Sequence, residues 1–208
     1  HAYEKEFAGD LGQIRDVIII EATWFGYFEP FAVRSISSFV GEMMIEKGQE
    51  ELAEKYGMEP FEVRVLEPTR TICEKIMSLV RFSYSKSPIA DLRKKLRHCY
   101  DLHQLLKTEE FAEFFASDEF SKMLLRVAND DVVSFRNNKS WLAHHPKEAL
   151  IFREVDSTWK QLATAYRGDF RNVVYGELPD ERLVAETLRR IAERLSQIQW
   201  SVQIPKAK

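Results

Sequence analysis

Arg97 and Asp101 are the side chains of this 208-residue sequence whose types and spacing could serve a metal or phosphate site, and Lys75 is a lysine in an unusual place on its helix. Lys75 falls in TRTICEKIMSLVRFS, residues 69–83, where Ile72, Ile76, Leu79 and Val80 keep the i, i+4, i+7, i+8 spacing of a buried helical stripe. At about 100° per residue, Lys75 lands on the shoulder of that stripe, beside Thr71 and Ser78. Its stem is placed to pack on the core while its ammonium reaches sideways. Glu74, Arg81 and Arg70 are left to the solvated face. In PIADLRKKLRHCYDLHQLLK, residues 88–107, Arg97 and Asp101 are i, i+4 neighbours, with Arg93, Lys94 and Gln104 beside them. A carboxylate set among cations stays ionised and can serve a metal or phosphate site. The same spacing also describes a weakly stabilising surface ion pair, which is the commoner occurrence.

The surrounding charge fits a polyanion. Between Arg64 and Lys107 there are ten Lys and Arg against four Asp and Glu, a net +6 in a chain of net −3, which leaves −9 for the rest. A basic middle in an acidic chain suits nucleotide phosphates or a nucleic acid backbone, although two solvated helix faces would look alike. Glu21 closes the apolar run Val17–Ile20. If still buried there, its carboxylate needs a cation, several donors or a metal; otherwise the strand has already surfaced. Cys99 and His103 are also i, i+4, but both lie on the apolar arc of their helix and read as core. No glycine-rich phosphate loop and no G-x-S-x-G is present, and no Asp-x-Asp occurs.

These residues need elements to hold them. IRDVIIIEATWFGY (residues 14–27) reads as an interior strand, and PFAVRSI and PFEVRVL as two more. SFVGEMMIEKGQEELAEKYG, between the latter two, reads as a helix stopped by Gly57. After Pro68 the pattern is helical: 69–83, 88–107, about 108–115, 117–135, 148–166 and 179–198. The expected class is α/β (α+β), with a partial sheet over residues 1–66 followed by a helical domain over 67–208. So few strands suggest a chain that begins partway through its α/β domain.

With 45% hydrophobic and 30% charged residues the composition is that of a globular protein. No apolar run approaches membrane-spanning length, and the opening HAYEKEFAGD is too charged for an apolar targeting segment. Cys73 and Cys99 occur singly in helical segments, which reads as reduced thiols and a cytoplasmic location.

Three segments, in order, carry a resemblance: FEVRVLEPTRTICEKIMSLVRFS, LRKKLRHCYDLHQLL and VVYGELP. They resemble the AbiEii-type nucleotidyltransferase family, toxins of bacterial AbiE-like (type IV) toxin–antitoxin and abortive-infection systems, over nearly all of the chain. A T-x-x-x-E-K motif matches at Thr71, Glu74 and Lys75, and an R-H-x-Y-D-L motif at Arg97, His98, Tyr100, Asp101 and Leu102. The resemblance implies a polymerase-β-like nucleotidyltransferase sheet. It also implies transfer of a nucleotidyl group from a nucleoside triphosphate to an acceptor such as tRNA, assisted by Mg²⁺, and a cognate antitoxin encoded nearby. By the same resemblance Lys75 and Asp101 would be catalytic, Thr71, Lys75 and Arg97 would bind the nucleotide, and Glu21 would hold the metal. The family's first motif, a Gly-Ser-like turn followed by Asp-x-Asp, is absent, so the chain alone is expected to be inactive. Fuller versions of the last motif carry an acid at the position of His98. The alternative is a non-catalytic helical module that binds a protein or nucleic acid through its basic stretch.

Overall fold

The computed structural model describes residues 29–135 and 138–204. Among these residues the fold is mixed α/β and mostly helical, with one small antiparallel sheet. The expected first strand, residues 14–27, lies outside the described residues, and Glu21 with it.

Residues 29–67 form one compact unit. Strand β1 (Phe31–Ile36) pairs antiparallel with β2 (Phe61–Leu66), in a register that sets Phe31 opposite Leu66 and Ile36 opposite Phe61. Between them the expected single helix is two, α1 (Phe39–Glu46) and α2 (Glu50–Lys55). The break falls at Gly48, whose φ of +67° belongs to the left-handed region that glycine enters without a Cβ clash. Ser38 starts α1 by accepting a hydrogen bond from the Gly41 N–H at 3.0 Å, which satisfies one of the helix's free donors. A Cβ on Gly41 would collide with the Met58 carbonyl oxygen, so the close pass of α1 over that backbone requires glycine.

The described residues from Pro68 onward belong to a second, helical unit. Its elements are α3 (Pro68–Ser83), α4 (Pro88–Arg93), α5 (Leu96–Leu106), α6 (Glu109–Ala116), α7 (Asp118–Ser134), α8 (Leu150–Arg153), α9 (Val155–Arg167) and α10 (Glu181–Ser196). Short 3₁₀ turns cover Ser140–Ala143, Pro146–Glu148 and Asp169–Val173. Helix α3 starts on Pro68, where a missing N–H costs nothing. It lies at the centre, packed on α7, α4, α5 and α8. Its expected stripe is fully buried: Ile72, Ile76 and Leu79 are at 0% exposure and Val80 at 1%. Each such side chain contributes about 1.5–3 kcal/mol by leaving water. Asp180 caps α10 by accepting from the Arg182 N–H at 2.8 Å, and Val184, Leu188, Ile191 and Leu195 then line its buried face.

Three further readings of the sequence change. The helix expected over 88–107 is two, because Lys94 and Lys95 leave the α ladder and bond back three residues, to Asp91 and Leu92. The segment 148–166 is likewise divided at Glu154, into α8 and α9. Arg70, assigned to the solvated face, is 2% exposed. Its Nε donates to Glu74 and its Nη2 to Asp130, each at 2.8 Å, and Asp130 comes from α7, which packs over that side of α3.

Candidate active site

The sideways reach of Lys75 has a target. Its Nζ donates to Asp101 Oδ2 at 2.7 Å, joining the middle of α3 to the middle of α5. The lysine side chain is 14% exposed and the aspartate 25%. Arg97, one turn before Asp101, brings its Nε to 3.6 Å from the same oxygen while remaining 74% exposed. Two cations around one carboxylate leave an excess positive charge, and the exposed share of it sits on Arg97. Thr71 is half-buried one turn ahead of Lys75 on α3.

His98 lies beside this group and is neutral at physiological pH. Burial above all, then the charges of Lys75 and Lys95, push its pKa down to about 4, with Arg97 adding to the effect and Asp101 opposing it. Its Nδ1 is buried with no hydrogen-bond partner among the described residues.

Arg97 and Asp101 also line a pocket of ≈ 430 Å³. The remaining wall comes from Tyr100 on α5 and from Phe170, Val173, Val174 and Tyr175, in and after the last 3₁₀ turn. That volume lies in the range of small-molecule sites, about 300–1,000 Å³. Arg171 steadies this wall by donating from Nη1 to the Val174 carbonyl at 3.0 Å, and Tyr166 holds the far end of the loop by donating to the Pro179 carbonyl at 2.9 Å. Neither Tyr175 nor Phe170 carries a site pattern in the sequence; the one trace is an aromatic residue ahead of a glycine in VVYGELP.

A second pocket of ≈ 240 Å³ opens on the other flank of α3, near Arg70, Glu74, Arg81, Asp130 and Asp131. Burial raises the Asp131 carboxyl to about 7, against the opposing pull of Arg81. The Arg81 guanidinium lies 4.4 Å from the Phe135 ring centroid and 4.9 Å from that of Phe82. This flank was not legible as a site because Asp130 and Asp131 lie some sixty positions further along the chain.

Cys99 and His103 belong to the core, as their place on the apolar arc suggested. Burial lifts the Cys99 thiol to about 12, and His103 Nδ1 is 2.8 Å from Thr187 Oγ1. Among the described residues no cluster of three or more His, Cys, Asp or Glu could hold a metal ion. Among the described residues Asp101 alone does not fit Mg²⁺, since its Oδ2 is already taken by Lys75 and no second described carboxylate joins it.

A model of the AbiEii family, described as the nucleotidyl transferase AbiEii toxin of a type IV toxin–antitoxin system, matches residues 2–197. The chain belongs to the AbiEii nucleotidyl transferase toxin family. No curated protein and no solved structure matches it. An AbiEii protein is of the nucleotidyltransferase class, which in general uses nucleoside triphosphates and divalent metal, and it works within a toxin–antitoxin pair. No helix among the described residues is long and apolar enough to cross a membrane.

Proposed function

We propose that this AbiEii chain supplies the Lys75–Asp101 side of a nucleotidyl-transfer site and, in its complete protein, moves a nucleotidyl group from a nucleoside triphosphate to RNA, tRNA foremost. The observation that carries the reading is the 2.7 Å bond between Lys75 Nζ and Asp101 Oδ2, made where Asp101 and Arg97 line an open pocket. In such a transfer an acceptor hydroxyl oxygen bonds to the α-phosphorus. The bond from that phosphorus to the bridging oxygen breaks, pyrophosphate leaves and the hydroxyl gives up its proton. Negative charge gathers on the phosphoryl oxygens throughout.

On this reading Lys75 meets that charge, and the bond to Asp101 supports it: an ammonium held in one position before substrate arrives has little reorganisation left to make. Arg97 offers a planar, exposed guanidinium able to grip two phosphate oxygens at once. Asp101 acts as the positioning carboxylate between them, and Thr71 supports the nucleotide from the preceding turn of α3. On this reading residues 1–66 are the C-terminal portion of the nucleotidyltransferase-like α/β domain and 67–208 the helical domain. Glu21 is the carboxylate assigned to Mg²⁺, the antitoxin is the partner, and the cytoplasm is the location.

The test is transfer of α-labelled ATP, CTP, GTP and UTP to bulk RNA, using protein expressed from the complete reading frame. Label should enter RNA, and Lys75→Ala should slow its entry by about 10²–10³, the usual loss for one preorganised charge contact. Equal transfer by the two proteins would remove Lys75 from the chemistry. Label in protein instead of RNA would leave the transferase class intact and change the acceptor.

A further inference from the structure

The pocket beside Asp101 contains one aromatic side chain with no structural employment. Tyr175 is fully exposed, at 103% of its reference area. Among the described residues no hydrogen bond, ion pair or ring contact engages its side chain. The other two aromatics of the pocket are committed. Tyr100 accepts a hydrogen bond from Gln104 Nε2 at 3.1 Å and meets the Phe170 ring edge-on at 5.6 Å, and Phe170 stacks on Tyr166 at 5.5 Å. The backbone around Tyr175 is fixed on both sides, by the Arg171 bond to Val174 and the Tyr166 bond to Pro179. Gly176 turns the chain immediately after it with φ at +82°.

The geometry points to Tyr175 as a stacking platform for a nucleobase, with the phosphate of the same nucleotide on Arg97. A tyrosine held out in water by an anchored loop buries nothing in the protein, so both faces of its ring are open to a ligand. The exposed Arg97 guanidinium lines the same pocket, and a cation and an unengaged aromatic ring sharing one open pocket match a nucleotide, which pairs a flat π-face with an anion. Stacking tolerates any base, so Tyr175 supplies affinity and leaves base selectivity to other groups. This inference rests on the proposed nucleotidyl-transfer reading, and the base could come from the triphosphate or from the 3′ end of the acceptor RNA.

The experiment measures binding of three probes to the complete protein. They are inorganic triphosphate, nucleoside triphosphates with a methylene between the α- and β-phosphorus, and a four-nucleotide RNA with a free 3′ hydroxyl. Tyr175→Ala should weaken a base-bearing probe by about 5- to 150-fold, the usual cost of one lost base–aromatic stack, with triphosphate binding unchanged. Tyr175→Phe should bind as the wild type does, because the ring and not the hydroxyl stacks. Which base-bearing probe suffers identifies the source of the base. Unchanged binding of both probes to Tyr175→Ala, no binding of either, or an equal loss for triphosphate would overturn the proposal. Triphosphate binding indifferent to both Lys75→Ala and Arg97→Ala would instead sink the phosphate-site reading, and the Tyr175 comparison would still be read on the RNA probe.

Discussion

Helix α3 carries Arg70 and Lys75 five positions apart, and the two cations meet different fates. Arg70 is 2% exposed and divides donors between the carboxylates of Glu74 and Asp130, so its charge is enclosed within the protein. Lys75 shares one carboxylate with Arg97, so the excess charge is positive, and that carboxylate borders an open pocket. The Arg70 group joins α3 to α7 and satisfies itself. The Lys75 group joins α3 to α5 and leaves charge pointing outward. A closed ion pair of the first kind is there to be kept intact, whereas an open one of the second kind can trade a partner for a ligand.

The largest effect that separates them is on stability. Arg70→Ala strands two carboxylates at the α3–α7 contact and should cost about 3 kcal/mol, the low end for breaking a buried pair, because Glu74 is 40% exposed and finds water. Chemical denaturation measures it. A loss below about 1 kcal/mol would make Arg70 an ordinary surface residue despite its burial.

The two flanks should next differ in the sign of their pH dependence. Asp131, on the Arg70 flank, has its carboxyl raised from 3.8 to about 7, so the fold prefers it protonated. Its contribution is present below pH 3.8 and lost as pH rises through about 7. Asp131→Asn should therefore gain stability on the order of 2 kcal/mol at pH 8 and almost none at pH 4. His98, on the Lys75 flank, has its pKa lowered from 6.5 to about 4, so the fold prefers it neutral. Stability is present above pH 6.5 and is lost as pH falls through about 4. Melting curves of His98→Gln should flatten on the acid side alone. A variant that changes the opposite limb would show that the two environments have been assigned to the wrong flanks.

The smallest effect is that of Arg97→Ala. At 74% exposure its removal should leave stability within about 0.5 kcal/mol. Triphosphate affinity should fall about tenfold, the measure of one lost charge-assisted contact. A thermal shift larger than that of Lys75→Ala would place Arg97 in the framework and not at the ligand.

The Lys75 group was legible because its parts are local. A lysine on the shoulder of a short apolar stripe and an i, i+4 Arg–Asp pair are both patterns within twenty residues, and the +6 stretch encloses them. The Arg70 group was not, since a helical period shows which face a residue takes but not what arrives to cover it. Asp130 comes from sixty positions away. Helix breaks divide in the same way. Gly48 marks its own break with a positive φ, whereas the break at Lys94–Lys95 is made by residues that favour helix, and tertiary packing of α4 and α5 must override them. Tyr175 was hidden for a third reason: exposure in a loop has no period at all.

The central claim is that Lys75 and Asp101 act as one unit in nucleotidyl transfer, and a double-mutant cycle tests it most directly. Transfer rates and melting temperatures would be measured for Lys75→Ala, Asp101→Ala and the pair together, in protein from the complete reading frame. Each single change should slow transfer by about 10²–10³, and the double change should cost little more than either, because removing one member already disables the other. Melting should show destabilisation within about 1 kcal/mol in all three, as for a partly exposed ion pair. Multiplying losses, or a stability cost as large as that of Arg70→Ala, would contradict the claim and make the Lys75–Asp101 bond a second piece of framework.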